Sequence, residues 1–180
     1  MPQRFVASYL WAVPGVKQWG VFGREVLSGW QLNGITILST GIPFNITSGV
    51  DTNLDGNTND RPNVSGNPKL QGGRSRGDKI QQFFNTSAFT PVQTGKLQYP
   101  YGNTPRNILV GPGTVNTDFS AFKSFPIWRE SSLQFRGELF NLFNNVNLSN
   151  PNGTMTSTQF GKITGSGSPR IVQFSLRYSF

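Results

Sequence analysis

The sequence predicts an all-β chain, an antiparallel up-and-down meander that forms part of a transmembrane β-barrel of about five strands with one very long outer loop. Three observations point there. Short segments alternate apolar and polar side chains, the period of a strand. The connections between them run short, very long, short, long. Charged residues make up only 13% of the 180 residues and aromatics another 13%, against roughly 25% charge in ordinary soluble domains.

The first strand spans 3–12, with Phe5, Ala7, Tyr9 and Trp11 on one face and Arg4, Val6, Ser8 and Leu10 on the other. Pro14-Gly15 ends it, because proline removes a ladder donor and glycine favours a turn. A connector over 16–25 carries Trp19 and Phe22, rings suited to a membrane interface. The second strand spans 27–40, with Trp30, Leu32, Gly34, Thr36 and Leu38 opposite Gln31, Asn33, Ile35, Ile37 and Ser39. The third, over 117–125, sets Phe119, Ala121, Lys123 and Phe125 against Asp118, Ser120, Phe122 and Ser124. A tight connector over 126–130 leads to the fourth strand, 131–141. Its apolar face is Leu133, Phe135, Gly137 and Leu139, and its polar face Gln134, Arg136 and Glu138. The last strand, 170–180, carries Val172, Phe174, Leu176, Tyr178 and Phe180 on one side and Ile171, Gln173, Ser175, Arg177 and Ser179 on the other. Its length suits a tilted crossing of a bilayer, which takes roughly 9–11 residues.

Segments 42–116 and 143–169 read as loops, rich in Gly, Asn, Pro, Thr and Ser, with little sustained period. Loops beyond roughly 12–15 residues are usually functional or disordered. A helical turn is expected over 78–84, with Ile80, Phe83 and Phe84 on one side.

Alternation does not say which face is wet. In a soluble β-sandwich the apolar faces would meet in a core; in an outer-membrane barrel they would meet lipid. The loop lengths discriminate. With the last residue on the periplasmic side, every short connector falls on that side and both long loops fall outside. Transmembrane barrels sort their loops this way and a sandwich has no reason to. The lipid-facing set is then Phe5, Ala7, Tyr9, Leu133, Phe135, Leu139, Val172, Phe174, Leu176, Tyr178 and Phe180. The lumen-facing set is Asp118, Arg136, Glu138, Gln173 and Arg177. Five strands are too few to close a barrel, whose smallest examples have roughly 8, so the chain reads as the end of a longer protein although it opens with Met1.

There is no Cys and no His. That excludes disulfides, thiolate chemistry and the usual zinc, haem and Ser-His-Asp arrangements. No apolar run is long enough for a membrane helix, and Met1-Pro2-Gln3-Arg4 leads straight into a strand pattern rather than a signal peptide. Net charge is +8, but the basic residues are scattered, the densest group being Arg74, Arg76 and Lys79. Scatter argues against nucleic acid as a partner and suits anionic lipid headgroups.

One motif has the look of a metal site. Asp51, Asn53 and Asp55 stand at the first, third and fifth positions of a calcium-type loop, Gly56 at the sixth, and Asn57 and Asn59 at the seventh and ninth. The twelfth position, which should be a bidentate acid, is Pro62, and Asp60 would have to substitute. The plainer reading is a self-capping Asn/Gly/Asp turn cluster. Arg136, Glu138 and Asp118 can form a charge ladder across two strands, or only a routine ion pair. Trp11, Trp30, Trp128, Tyr178 and Phe180 fall near strand ends, where interfacial rings belong, though core packing would also use them. The long loop carries seven basic residues (Arg61, Lys69, Arg74, Arg76, Lys79, Lys96, Arg106) against four aspartates, a charge suited to lipopolysaccharide, an anionic ligand or plain solvent. No nucleophile–base pair and no second carboxylate beside Glu138 marks an enzyme.

Several segments together resemble one family. Residues 131–151 (SSLQFRGELFNLFNNVNLSNP) look like the penultimate-strand segment of TonB-dependent outer-membrane receptors, most closely those with an N-terminal carboxypeptidase-regulatory-like domain. Gly29 to Gly34 with Ser39 to Phe44, Asp60-Arg61-Pro62-Asn63, Phe84-Asn85 with Ala88-Phe89, and Arg106-Asn107 through Gly111-Pro112-Gly113 to Lys123 resemble further segments, in the same order. The resemblance implies the last strands of a large plugged barrel. It also implies uptake of a bulky nutrient (a siderophore, a glycan or similar) driven through the TonB complex, and recognition of the closing strand by the barrel-assembly machinery. The plug and the TonB-contacting segment have no counterpart in these residues, so the chain alone is not expected to transport. The alternative is a soluble, secreted β-sandwich that binds glycans.

Overall fold

The computed structural model describes residues 2–14, 20, 26–93 and 101–180. They fall into two compact units, a sheet (Gln3–Ser39, Thr114–Asn147, Ser168–Phe180) and a loop unit (chiefly Thr40–Gly113 and Leu148–Gly167). The connector expected over 16–25, with Trp19 and Phe22, lies outside the described residues apart from Gly20, and so does Lys96.

The strands are β1 (Arg4–Ala12), β2 (Gln31–Ser39), β3 (Pro43–Phe44), β4 (Asn63–Val64), β5 (Phe89–Thr90), β6 (Leu109–Val110), β7 (Thr114–Trp128), β8 (Ser131–Phe140) and β9 (Ile171–Ser179). β1, β2, β7, β8 and β9 form one sheet in that order, every neighbour antiparallel. This is the expected five-strand meander. β1 and β9 are both edges, so the sheet does not close on itself.

Two strands differ from the expectation. β2 begins at Gln31 because residues 26–27 are helical, and Trp30 Nε1 donates to the Val26 carbonyl oxygen at 2.8 Å. β7 is 15 residues long and reaches Trp128, with an irregularity between Pro126 and Trp128. Pro126 is tolerated there because β2 pairs no further along β7 than Phe122, so the missing N–H falls on a free edge. Arg129, in the left-handed region at φ 52°, makes the tight return into β8.

Among the described residues the sheet has no apolar core of its own. Phe5, Trp11, Phe174, Leu176, Tyr178 and Phe180 are each more than half exposed, and all nine residues of β9 are exposed. A sandwich would cover these rings with a second layer, and they are exposed instead. Among the described residues no helix is long and apolar enough to cross a membrane, which leaves strands unconstrained.

The loop unit departs most from the sequence reading. Its two segments fold together around a buried cluster of Ile46, Phe84, Ala88, Phe89 and Leu109, flanked by Phe44, Val64, Phe83, Ile108, Met155 and Phe160. Phe84 is the hub, edge-on to Phe89 at 5.7 Å and to Phe160 at 5.2 Å. β3 pairs with β6 and β4 with β5. A short helix, α1 (Arg76–Gln81), is capped by Ser75, whose Oγ accepts from Asp78 N and donates to Asp78 Oδ2. The second segment is stitched to the first by main-chain bonds between Thr47 and both Gly153 and Met155, and between Ile80 and Ile163. Gly41 passes so close to the Gly111 carbonyl that no Cβ would fit.

Candidate functional site

The candidate site is the pair of sheet faces. Register determines which residues share a face. Tyr9 pairs with Gly34, Gly34 with Phe119, Phe119 with Leu139, and Leu139 with Val172. Followed across all five strands, one face carries Phe5, Ala7, Tyr9, Leu133, Phe135, Leu139, Val172, Phe174, Leu176 and Tyr178 together. Phe180 stacks on Tyr178 just beyond β9 at 5.8 Å. The other face carries Asp118, Arg136, Glu138, Gln173 and Arg177. Each of the two predicted sets therefore falls wholly on one face.

Two glycines let rings lie flat on the apolar face. Tyr9 covers Gly34, where a Cβ would collide with the ring, and Phe174 covers Gly137, where a Cβ would meet the ring at 3.4 Å. Phe174 also stacks on Phe135 at 6.0 Å. Lys123 sits on this face as well. It is only 6% exposed, with its ammonium 4.9 Å from the Phe125 ring centre, and the Trp30 and Phe135 rings meet at 6.1 Å beside it. Its apolar stem is covered by rings in the way long cations are accommodated at interfaces.

Trp11, Trp30, Trp128, Tyr178 and Phe180 stand near strand ends, as expected. Trp11 is one residue from the end of β1, Trp30 precedes β2, Trp128 ends β7, and Tyr178 and Phe180 flank the end of β9.

The other face is hollow. Ser8, Asn33, Asp118, Ser120 and Glu138 line a groove of about 450 Å³ together with Leu10, Ile35 and Phe140. Arg136 Nη1 lies 3.6 Å from Glu138 Oε1, and the guanidinium stands 5.2 Å from the Phe122 ring centre. With both groups partly exposed the pair contributes little, under about 1 kcal/mol. Asp118 does not join this ladder. Its Oδ1 accepts from Asn141 N and Asn116 Nδ2, both at 2.9 Å, because the register places it opposite Phe140, a full step beyond Glu138.

Asn141, which the sequence reading did not single out, organises the exit of β8. It is buried, with φ 52°. Its Nδ2 donates to the carbonyls of Asn145 and Ser168, and its Oδ1 accepts from Asn145 N. Asn144 Oδ1 then accepts from Arg170 N at the entry to β9. The signal was present as the run of asparagines after β8; asparagine tolerates the left-handed region and bonds nearby backbone.

In the 51–60 loop the acidic and amide oxygens accept from the loop itself. Asp51 takes the N–H groups of Asp55 and Gly56, Asn53 that of Asp55, Asp55 that of Asn57, and Asn57 that of Asn59. Asp60 Oδ2 accepts from Thr52 N, Thr52 Oγ1 and Asn53 N. Burial pushes the Asp60 carboxyl up, but these three bonds outweigh it and hold it below its ordinary value. Among the described residues no three Asp, Glu, His or Cys side chains cluster closely enough to hold a metal. The geometry is that of a self-capped turn cluster, and calcium at Asp51, Asn53, Asp55, Asn57, Asn59 and Asp60 stays an expectation for titration.

A single antiparallel sheet, apolar on one side and grooved and polar on the other, joined by one tight turn and by long folded loops, defines a piece of a membrane β-barrel. A family model described as an outer membrane beta barrel domain matches residues 1–173. The chain belongs to that family, and its place is the bacterial outer membrane. No curated protein and no solved structure matches the chain.

Proposed function

We propose that the chain is the carboxy-terminal part of the barrel of a TonB-dependent receptor. In this reading the apolar face meets lipid, the grooved face lines the lumen and the loop unit stands outside the cell. The receptor takes up a bulky nutrient, such as a siderophore or a glycan, and has no enzyme activity. Energy would reach it from the TonB complex through a plug, which these residues do not supply, so they would not transport by themselves. β9 would be the strand recognised by the barrel-assembly machinery.

The observation that carries the reading is that the segments resembling the receptor family are the ones that hold this fold. Phe84, Ala88 and Phe89 are its loop-unit core. Arg61 Nη1 and the Pro62 carbonyl oxygen clamp Thr104. Gly111 closes on Gly41 and Ile42, and Asn141 ties β8 to β9. The first test is the DNA upstream of codon 1, where an in-frame extension encoding further strands and a plug is expected. Energy-dependent uptake by the full reading frame should then vanish when a stop codon precedes Arg170. A reading frame with no such extension, or uptake indifferent to that truncation, would refute the receptor.

A further inference from the structure

The loop unit carries two adjoining hollows, of about 430 and 270 Å³, that share Lys79 and Phe83. Their floor is apolar, with Phe83, Phe84, Leu109 and Val110 in one and Pro112 and Leu148 in the other. Their rim is basic, with Lys69, Arg74, Arg76 and Lys79. The side chains of Lys69, Arg76 and Lys79 are exposed and make no hydrogen bond or ion pair among the described residues. Arg74 is held in place, its Nη1 donating to the Gln82 carbonyl at 2.7 Å and its Nη2 to the Asp78 carbonyl at 2.8 Å. Carbonyls orient that guanidinium without neutralising it. The acid between them, Asp78, has its carboxylate engaged by Ser75 Oγ.

We propose that these hollows bind a small soluble anion with an apolar body, an aryl or short acyl group bearing a carboxylate or phosphate. The apolar part would lie on Phe83 and its neighbours, and the anionic head would meet Lys79, which faces both hollows, with Arg76 and Arg74 on either side. Four cations around an apolar floor discriminate against a neutral body and against a bare ion alike, because each supplies only half of the contact. The site stands on the loop unit alone and does not depend on the transport reading.

The test uses the whole chain in a zwitterionic detergent with a fluorinated naphthoate as probe, followed by fluorine NMR line broadening. Saturable binding is expected. The exposed α1 substitutions R76Q and K79Q together should weaken it about tenfold or more, with the fold kept because glutamine is a good helix former. R106Q, elsewhere on the loop unit, should leave it unchanged. Fluoroacetate, which lacks the ring, and the matching naphthalene methanol, which lacks the charge, should both bind far more weakly. Equal broadening by the neutral alcohol, or an R76Q/K79Q double variant that binds as well as the parent, would overturn the proposal. Displacement of the probe by lipopolysaccharide at equimolar lipid would also overturn it, by assigning the hollow to a lipid headgroup.

Discussion

Replacing Leu176 with arginine tests which face of the sheet meets lipid. Leu176 stands next to the midpoint of β9 and is 68% exposed, with Phe135 as its cross-strand partner. Burying a leucine side chain fully stabilises by about 1.5–3 kcal/mol, so the two-thirds still uncovered by the protein corresponds to about 1–2 kcal/mol gained from hydrocarbon. L176R forfeits that and places a guanidinium near the bilayer centre, for a total of about 2–4 kcal/mol. Ser175, one residue away, points to the grooved face, and S175R should cost under about 1 kcal/mol. The assay is denaturant unfolding from phospholipid vesicles, followed by tryptophan fluorescence. Equal costs for the two variants, or a larger cost for S175R, would show that the apolar face does not lie in lipid.

Three further outcomes are expected. Asn141→Ala removes three hydrogen bonds at a buried turn and should destabilise by about 2–4 kcal/mol; Asn141→Gly, which restores only the left-handed backbone, should recover a minor part, and full recovery would show that the side-chain bonds contribute nothing. The stability contributed by Asp60 should be complete well above its ordinary value of 3.8 and fall away as pH drops below it, because the folded form holds the carboxyl lower than the unfolded chain does; thermal unfolding against pH should lose this acid limb in D60N, and an unchanged profile would count against the Thr52 and Asn53 bonds. Calcium should bind the 51–60 loop no more tightly than about the millimolar range, since only Asp51, Asp55 and Asp60 supply charge and their oxygens already accept amide protons; a micromolar constant by calorimetry would require a rearranged loop.

The period of two made the five strands visible, since a strand cannot hide which side chains share a face. The alternation of 3–12 and 170–180 therefore survives almost unchanged in β1 and β9. The register could not be read that way. It brings Tyr9 over Gly34 and Phe174 over Gly137, places Lys123 beside Trp30 and Phe135, and separates Asp118 from the Arg136–Glu138 pair, because each depends on how strands slide past one another. The loop unit was illegible for a different reason. Its core residues, Phe44, Ile46, Phe84, Phe89, Leu109 and Phe160, come from distant parts of the chain with no common spacing, and glycine- and asparagine-rich sequence between them looks like loop. Local patterning thus determined the sheet and its two faces. Long-range packing alone decided that the two loop segments fold as one body with a basic, apolar-floored hollow, since contacts between residues so far apart leave no period behind them.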